Sequence, residues 1–159
     1  RGNVAIAAEF NFYTDSEAAQ IVLNDFQCPV YVNSWELTLH HPLDWEWYKQ
    51  WQETKTQKGE FMKSICECGM KYYMSERGKD ETLNQGWVAC DPVAMAVAID
   101  KKIITEMQEL HATVELNGTY SRGQMIVDWC NHLPGRRKSF IVTKINVEIL
   151  KELMKKSIE

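Results

Sequence analysis

The stretch from Asn3 to Asp15, NVAIAAEFNFYTD, places polar side chains among small apolar and aromatic residues. Glu9 and Asn11 are two positions apart, so in extended backbone their side chains point the same way. Together with Asn3 they present a carboxylate and two amides, which suit the hydroxyl groups of a sugar. Burial of such groups without partners costs about 1–3 kcal/mol for each neutral group and more for a charge. Either the protein or a ligand satisfies them, and the residues alone leave both readings open.

Asp91 is a second candidate for chemistry. It precedes Pro92 in the apolar segment ACDPVAMAVAID, residues 89–100. Proline is tolerated in the first helical turn, so a helix is predicted to begin here, and its Ala, Val and Met content predicts deep burial. Asp91 is then either the helix N-cap or a ligand for a hard cation such as Ca²⁺ or Mg²⁺. The two roles are compatible if one oxygen caps and the other coordinates.

The surrounding pattern predicts an α/β unit. The segment TDSE at 14–17 has the spacing of a capping box and predicts a helix that ends near Asp25. Strands are predicted at 28–34 (CPVYVNS) and 139–146 (SFIVTKIN), and Asn117-Gly118 between two β-patterned runs predicts a hairpin. These strands are few for the amount of helix, so the chain looks like part of a larger sheet domain.

Three further helices are predicted. A Trp-rich segment at 40–54 contains a helix that begins near Asp44, and a second helix runs from about Glu60 to Ser75 and ends at Gly78 and Lys79. The chain closes with an amphipathic helix whose apolar face carries Val147, Leu150, Met154 and Ile158.

The composition narrows the class of protein. A chain of 159 residues with 45% hydrophobic and 25% charged residues is expected to form one globular domain. A net charge of -4 without a long Lys/Arg block argues against a nucleic-acid partner, and no apolar run approaches the roughly 20 residues that cross a bilayer. Five cysteines without a C-x-x-C pair favour buried reduced thiols and a cytoplasmic location. Because the chain begins at Arg1, the presence of an N-terminal signal stays open.

Three segments together resemble the inosine-uridine preferring nucleoside hydrolase family. GNVAIAAEFNFYTDSEAAQIVL at 2–23 is similar to the family's G-N, A-E-F-N and D-P-E-A-A series. ACDPVAMAVAID is similar to its H-D-P-x-A-x-A segment, and NGTYSRGQMIVDW at 117–129 to its G-x-x-T-R-G-x-x-V-V-D hairpin. The three segments fall in family order and cover essentially the whole chain. The Trp-rich middle looks more like animal members.

The resemblance implies hydrolysis of the N-glycosidic bond of ribonucleosides. It also implies that the chain folds as the C-terminal part of an open, mostly parallel α/β sheet with flanking helices and a β-hairpin. A Ca²⁺ ion is expected to hold the ribose 2′- and 3′-hydroxyls and the attacking water. The family's ribose contacts carry over to Asn3 and Glu9 on the 5′-hydroxyl side and to Asn11 at the ring diol. Asp91 matches the family's C-terminal Ca²⁺ ligand, and a homo-oligomer is among the expected states.

One departure from the family concerns completeness. The N-terminal cluster D-x-D-x-x-x-D-D, which supplies the general base and most Ca²⁺ ligands, is absent, so residues 1–159 resemble a partial domain. Asp91 alone offers too few oxygens for Ca²⁺, which takes about 6–8. We therefore expect the 159-residue chain by itself to be inactive.

A second departure is Cys90, which stands where the family often has a His that helps to protonate the leaving base. A thiol with an ordinary pKa of about 8.5 is a poor proton donor, and no His adjoins Cys90 in sequence to activate it as a nucleophile. A small buried residue beside the pocket is the favoured interpretation. Stacking of the leaving base on Trp87, Tyr72 or Tyr73 could replace part of the acid catalysis, although ordinary packing is the favoured interpretation for each residue.

Two other functions compete with the hydrolase. One is a non-catalytic relative that binds a nucleoside or sugar, or only assembles with partners. The other is an unrelated interaction module with a Trp-rich helical face, which predicts that Glu9, Asn11 and Asp91 do not converge in space.

Overall fold

The computed structural model of the protein describes residues 1–76, 85–133, 135 and 137–159, with the backbone alone at 72–76. In chain order the elements are α1 (Phe10–Thr14), α2 (Ser16–Asp25), β1 (Tyr31–Asn33), α3 (Trp35–His40), α4 (Trp45–Gln52), α5 (Gln57–Glu76), α6 (Cys90–Ile99), a 3₁₀ turn (Lys101–Ile103), β2 (Ile104–Val114), β3 (Met125–Asp128), β4 (Lys138–Ile145) and α7 (Val147–Ile158). The chain divides into two compact units, a first unit of Arg1–Leu37 with Glu106–Lys144 and a second unit of Thr38–Thr105 with Ile145–Glu159.

Among the described helices, none combines the length and the apolar character needed to cross a bilayer.

The first unit is built on a four-stranded sheet with the strand order β1-β4-β2-β3. Strand β1 runs parallel to β4, with Tyr31 opposite Phe140, whereas β2 and β3 are antiparallel, with Val114 opposite Met125. The sheet is therefore mixed, and β1 and β3 are its two edges among the described strands. The predicted α/β class with flanking helices and a β-hairpin is confirmed.

The hairpin between β2 and β3 has a longer connection than a two-residue turn. Residues 115–124 separate the last paired residues of the two strands. The Glu115 carboxylate accepts the backbone N–H groups of Asn117 at 2.8 Å and Gly118 at 3.0 Å. The chain bends at Asn117, but the turn itself lies just after the predicted dipeptide, at residues 119–123. Pairing resumes where the N–H of Gly123 donates to the Glu115 carbonyl at 2.7 Å.

Helix α2 covers the sheet of the first unit and packs Leu23 against Ala112, Val114 and Ile141. Its N-cap is Asp15, whose carboxylate accepts the backbone N–H of Ala18 at 2.8 Å. The capping box predicted from Thr14 is therefore wrong by one residue, because Thr14 is the last residue of α1. The predicted end of the helix at Asp25 is confirmed.

The second unit is a cluster of helices. Helix α4 begins after Asp44, which confirms the predicted start near this residue. Asp44 is the N-cap and accepts the backbone N–H of Trp47 at 2.7 Å. The buried indole of Trp51 donates to the Met154 carbonyl at 3.2 Å and so ties α4 to α7. Of the predicted apolar face of α7, Leu150, Met154 and Ile158 are buried and Val147 is half-buried. Helix α5 is also confirmed, whereas its predicted end at Gly78 and Lys79 lies outside the described residues.

Helix α6 departs from its predicted deep burial. Val93, Ala96 and Val97 are buried, but Met95 is 61% and Ile99 65% exposed. Only one side of this apolar helix is therefore covered.

Candidate functional site

The segment before α1 is a compact turn that Asn3 closes. The Ala8 carbonyl accepts the backbone N–H of Asn3 at 3.2 Å, and the Asn3 side-chain oxygen accepts the backbone N–H of Phe10 at 2.8 Å. This N–H belongs to the first residue of α1, so Asn3 satisfies a donor that the helix cannot satisfy itself. The protein therefore engages the oxygen of Asn3 internally.

Glu9 is held by a residue distant in sequence. Its Oε1 accepts the backbone N–H of Trp35 at 2.9 Å. Burial raises the pKa of Glu9 above its ordinary value, the Trp35 N–H opposes that rise, and the neighbouring Glu36 adds to it. The result is a partly desolvated carboxyl whose position is fixed by backbone.

Glu9 lines a cavity of about 110 Å³ in the first unit. Glu36 and Gln124 contribute further polar groups, and Phe12 and Met125 contribute apolar surface. A water molecule in the liquid takes about 30 Å³ and drug-sized ligands need about 300–1,000 Å³, so this cavity suits a few waters or one small polar group. It is too small for a whole nucleoside.

Asn11 lies on α1, and both it and Phe10 are exposed. The prediction that Glu9 and Asn11 point the same way from extended backbone is wrong, because α1 begins at Phe10. Glu9 therefore precedes the helix while Asn11 lies within its first turn. The N-cap residue of α1 is Glu9, whose side chain makes no cap bond, and the Asn3 side chain caps the helix instead by accepting the Phe10 N–H.

Two residues outside the predicted site hold this turn against the β2–β3 connection. Gly123 has φ +83°, and a Cβ on it would lie 3.1 Å from the Ala8 Cβ and from the Ser16 Oγ. Arg122 donates to both carboxylate oxygens of Glu17 at 2.8 Å, which lowers the pKa of Glu17. The sequence contains both residues in its hairpin motif, but their packing against the turn requires the tertiary fold.

Asp91 belongs to the second unit and lies exposed in the first turn of α6. The N-cap of α6 is Ala89, so the N-cap interpretation of Asp91 is wrong because the helix begins at Cys90. A carboxylate here suits a hard cation. Within the described part of the chain, however, no group of three or more His, Cys, Asp and Glu side chains is arranged to hold a metal ion. These residues alone therefore do not fit a Ca²⁺ site.

Cys90 is the first residue of α6 and is exposed, with its Sγ 3.8 Å from the Oγ1 of Thr38. The prediction of a buried thiol is therefore wrong. All five cysteines lie in the described residues and are free thiols, but four are exposed and Cys66 is half-buried. Its contact with the buried Thr38 leaves the rest of the Cys90 side chain open to solvent at the start of α6.

Trp87 is part of an aromatic cluster. Its ring lies 4.8 Å from Tyr48 and 5.9 Å from Trp51, and its backbone pairs with Leu43. These contacts account for Trp87 by packing. The side chains of the other two stacking candidates, Tyr72 and Tyr73, lie outside the described part of the structure.

Comparison with known proteins decides the family. Residues 1–152 match the sequence model of the inosine-uridine preferring nucleoside hydrolases. The chain belongs to this family. Within the nucleoside hydrolase family, it is 28% identical to the inosine-uridine preferring nucleoside hydrolase of Leishmania major and 29% identical to that of Crithidia fasciculata. Each alignment covers 92% of this chain and 44% of the relative, so the chain spans less than half the length of these relatives.

Solved structures of nucleoside hydrolases share the fold. An inosine-guanosine nucleoside hydrolase superposes with a TM-score of 0.82 at 28% identity, over 99% of this chain and 48% of that one. A purine-preferring ribonucleoside hydrolase from Gardnerella vaginalis superposes with a TM-score of 0.78 at 26% identity, over 98% and 47% of the two chains. The match over nearly every residue of this chain confirms its α/β fold.

Proposed function

We propose that this chain is part of a ribonucleoside hydrolase, which cleaves the N-glycosidic bond to give ribose and a free base. The family match over residues 1–152 carries the proposal. The relatives and structural neighbours are named for inosine, uridine, guanosine or purine ribonucleosides, which supports a nucleoside as the substrate class. The fixed Glu9 carboxyl beside a small polar cavity supports recognition of a sugar.

In this proposal Glu9 and Asn3 lie on the 5′-hydroxyl side of the ribose, and Asn11 contacts the ring diol. Departure of the base builds positive charge on the ribose ring. A carboxylate held in place before the reaction stabilises that charge more in the transition state than in the ground state. The backbone N–H of Trp35 keeps Glu9 in position, and the N-terminal ammonium group of Arg1 favours its charged form.

The remaining chemistry is assigned to residues beyond this chain. The general base that activates the water is proposed to lie in the part of the fold that residues 1–159 do not span. Ca²⁺ dependence is likewise proposed, with Asp91 as one ligand, and the described residues supply no complete site for the ion. Cys90 is a poorer proton donor to the leaving base than an imidazolium would be. The cytoplasmic location and homo-oligomeric assembly stay predictions.

The test is release of free base, measured by chromatography, with the polypeptide of the complete reading frame and inosine, guanosine or uridine as substrate. Glu9→Gln is expected to lower kcat/KM by about 10²–10³-fold, because it removes a preorganised charge. Glu152→Gln, at an exposed position of α7, is the matched control and should change nothing. Full activity of the Glu9→Gln variant would overturn the assigned role, and no base release by the wild type would overturn the proposed reaction.

A non-catalytic nucleoside-binding relative is the second candidate, and Cys90 at the position of the family His favours it. It predicts that the complete polypeptide binds inosine or ribose in a calorimetric titration but releases no base. Base release at a rate proportional to enzyme concentration would exclude it.

A further inference from the structure

The connection between β2 and β3 contains the dipeptide Asn117-Gly118, which has no part in the proposed reaction. Asn117 is exposed and lies outside the paired residues of the two strands. An asparagine followed by glycine is chemically labile, because the next backbone nitrogen can attack the side-chain amide carbon and glycine has no side chain to shield that nitrogen. A larger residue does not fit after Asn117, since a Cβ on Gly118 would collide with the Ser121 Oγ.

The backbone nitrogen of Gly118 is held by the side chain of Glu115. One carboxylate oxygen of Glu115 accepts the N–H of Gly118 at 3.0 Å and the N–H of Asn117 at 2.8 Å. The backbone of Glu115 is itself fixed, because its N–H donates to the Gln124 carbonyl at 2.9 Å and its carbonyl accepts the Gly123 N–H at 2.7 Å. An anchored residue therefore engages the nitrogen that would attack the Asn117 side chain.

We propose that Asn117 is a site of spontaneous deamidation and that the Glu115 carboxylate restrains it. When the carboxylate releases the N–H of Gly118, the nitrogen bonds to the Cγ of Asn117, gives up its proton and closes a succinimide ring. The bond between Cγ and the side-chain nitrogen breaks, and ammonia leaves with that proton. A water molecule then opens the ring at either carbonyl and leaves aspartate or isoaspartate in place of the asparagine. Water is the only co-reactant.

The hydrogen bonds of Gly118 oppose this reaction. To approach the Cγ of Asn117, the nitrogen has to leave the Glu115 carboxylate. The carbonyl of Gly118 also accepts the Arg122 N–H at 3.1 Å, so Gly118 is held on both sides. Release of one such bond lowers the reactive population by a factor of about 5–10. A rotation of the Glu115 side chain is enough to break its bond, because no backbone pairing between strands protects the Gly118 nitrogen.

Deamidation acts on the connection that packs against the candidate site. Isoaspartate adds a methylene group to the main chain just before Gly118, which displaces Gly118 from its partners Glu115 and Arg122. Gly123, the residue after Arg122, lines the cavity of the candidate site. The modification therefore loosens one wall of that cavity and adds a negative charge to a chain of net charge -4. The inference does not depend on base release by this protein.

The first experiment compares the folded 159-residue chain with a synthetic peptide of residues 113–122, both kept at neutral pH. Peptide mapping by mass spectrometry measures the fraction of acid in place of Asn117 over time. The folded chain should convert at least about 5-fold more slowly than the peptide, which lacks the fixed Glu115 backbone. Asn131 is the internal control, because it is exposed but followed by His132, whose side chain shields the nitrogen. Asn131 should stay an amide while Asn117 converts.

The second experiment compares variants of the folded chain. Glu115→Ala removes the acceptor and should raise the conversion rate of Asn117 by about 5-fold or more. Glu115→Gln retains an acceptor oxygen and should raise the rate less. Wild-type protein aged until Asn117 has converted should melt roughly 2–4 °C below fresh protein, because bonds of Gly118 are lost. Asn117→Gln is the matched control for ageing, since its longer side chain closes a ring far more slowly, and its melting temperature should not fall.

Each part of the inference has a result that would overturn it. Absence of conversion at Asn117 in both the folded chain and the peptide would remove the modification site, as would equal conversion at Asn131. Equal rates in the folded chain and the peptide would show that the fold does not restrain the reaction. A slower reaction in Glu115→Ala than in the wild type would make the carboxylate a base that promotes deamidation. Loss of base release in the complete protein would affect only the proposed function.

Discussion

Glu9 accepts the backbone N–H of Trp35 at 2.9 Å, across 26 positions of sequence. The bond joins the residue that precedes α1 to the residue that begins α3. Because the donor is a main-chain group, a substitution of the Trp35 side chain does not remove it. The position of the carboxyl is therefore a property of the fold of the first unit.

The charge of Glu9 is expected to cost stability at neutral pH. Burial raises the pKa of Glu9 above its ordinary value of 4.5, so the folded chain holds the proton more tightly than the unfolded chain. The free energy of unfolding then falls as pH rises through 4.5 and stays lowered above the folded pKa. Glu9→Gln keeps an acceptor for the Trp35 N–H without this cost. Denaturant titrations should find the variant at least as stable as the wild type near about pH 7, with the difference lost below the unfolded pKa.

The Asn3 cap should be measurable as helix stability. Asn3→Ala removes the acceptor of the Phe10 N–H and is expected to cost about 1 kcal/mol, or roughly 2–4 °C in melting temperature for a chain of this length. Asn3→Asp retains an acceptor oxygen and is the matched control. Equal melting temperatures for the Ala and Asp variants would show that the cap contributes nothing.

Gly123 and Gly135 allow the cost of a positive φ to be separated from the cost of a steric clash at the Cβ position. Both have φ near +80°, but only Gly123 is packed against other residues, whereas no other described atom lies within 4 Å of a Cβ at Gly135. Gly135→Ala should cost about 1 kcal/mol from φ alone, and Gly123→Ala about 2–3 kcal/mol because the new methyl meets Ala8 and Ser16. Thermal melts of the two variants test this, and a smaller cost at Gly123 would contradict the packing.

Ca²⁺ should have little effect on the 159-residue chain. A single carboxylate binds the ion more weakly than about 1 mM, so about 1 mM Ca²⁺ adds less than roughly 0.4 kcal/mol to the free energy of unfolding. The melting temperature should move by less than roughly 1 °C in the wild type and in Asp91→Asn. A shift of several degrees that disappears in Asp91→Asn would mean that this chain alone completes the site.

Elements set by local signals were predictable from the sequence. Three predicted features depend on neighbours within a turn or two: the β-branched run that became β1, the apolar period of α7 and the start of α4 near Asp44. The boundary before α2 was missed by one residue because Thr14 and Asp15 are both good caps, and the short helix α1 takes Thr14 first.

The sequence predicted which residues belong to the candidate site but not which groups they contact. The family motif selected Asn3 and Glu9, but their acceptor bonds go to backbone N–H groups that no spacing rule connects with them. The sequence showed Gly123 as part of the hairpin motif but not its packing role, because its close approach to Ala8 depends on how the β2–β3 connection folds back. The exposure of Cys90 and Met95 was missed for a related reason, since apolar composition does not tell which side of a helix is covered.

The position of β1 at the end of the strand order has a practical consequence for handling this protein. Tyr31, Val32 and Asn33 carry no charge and include no proline, which are two of the devices that discourage a free strand from pairing with a neighbour, and only the shortness of β1 protects it. Concentrated preparations of the 159-residue chain are thus expected to lose material to aggregates that grow by strand addition.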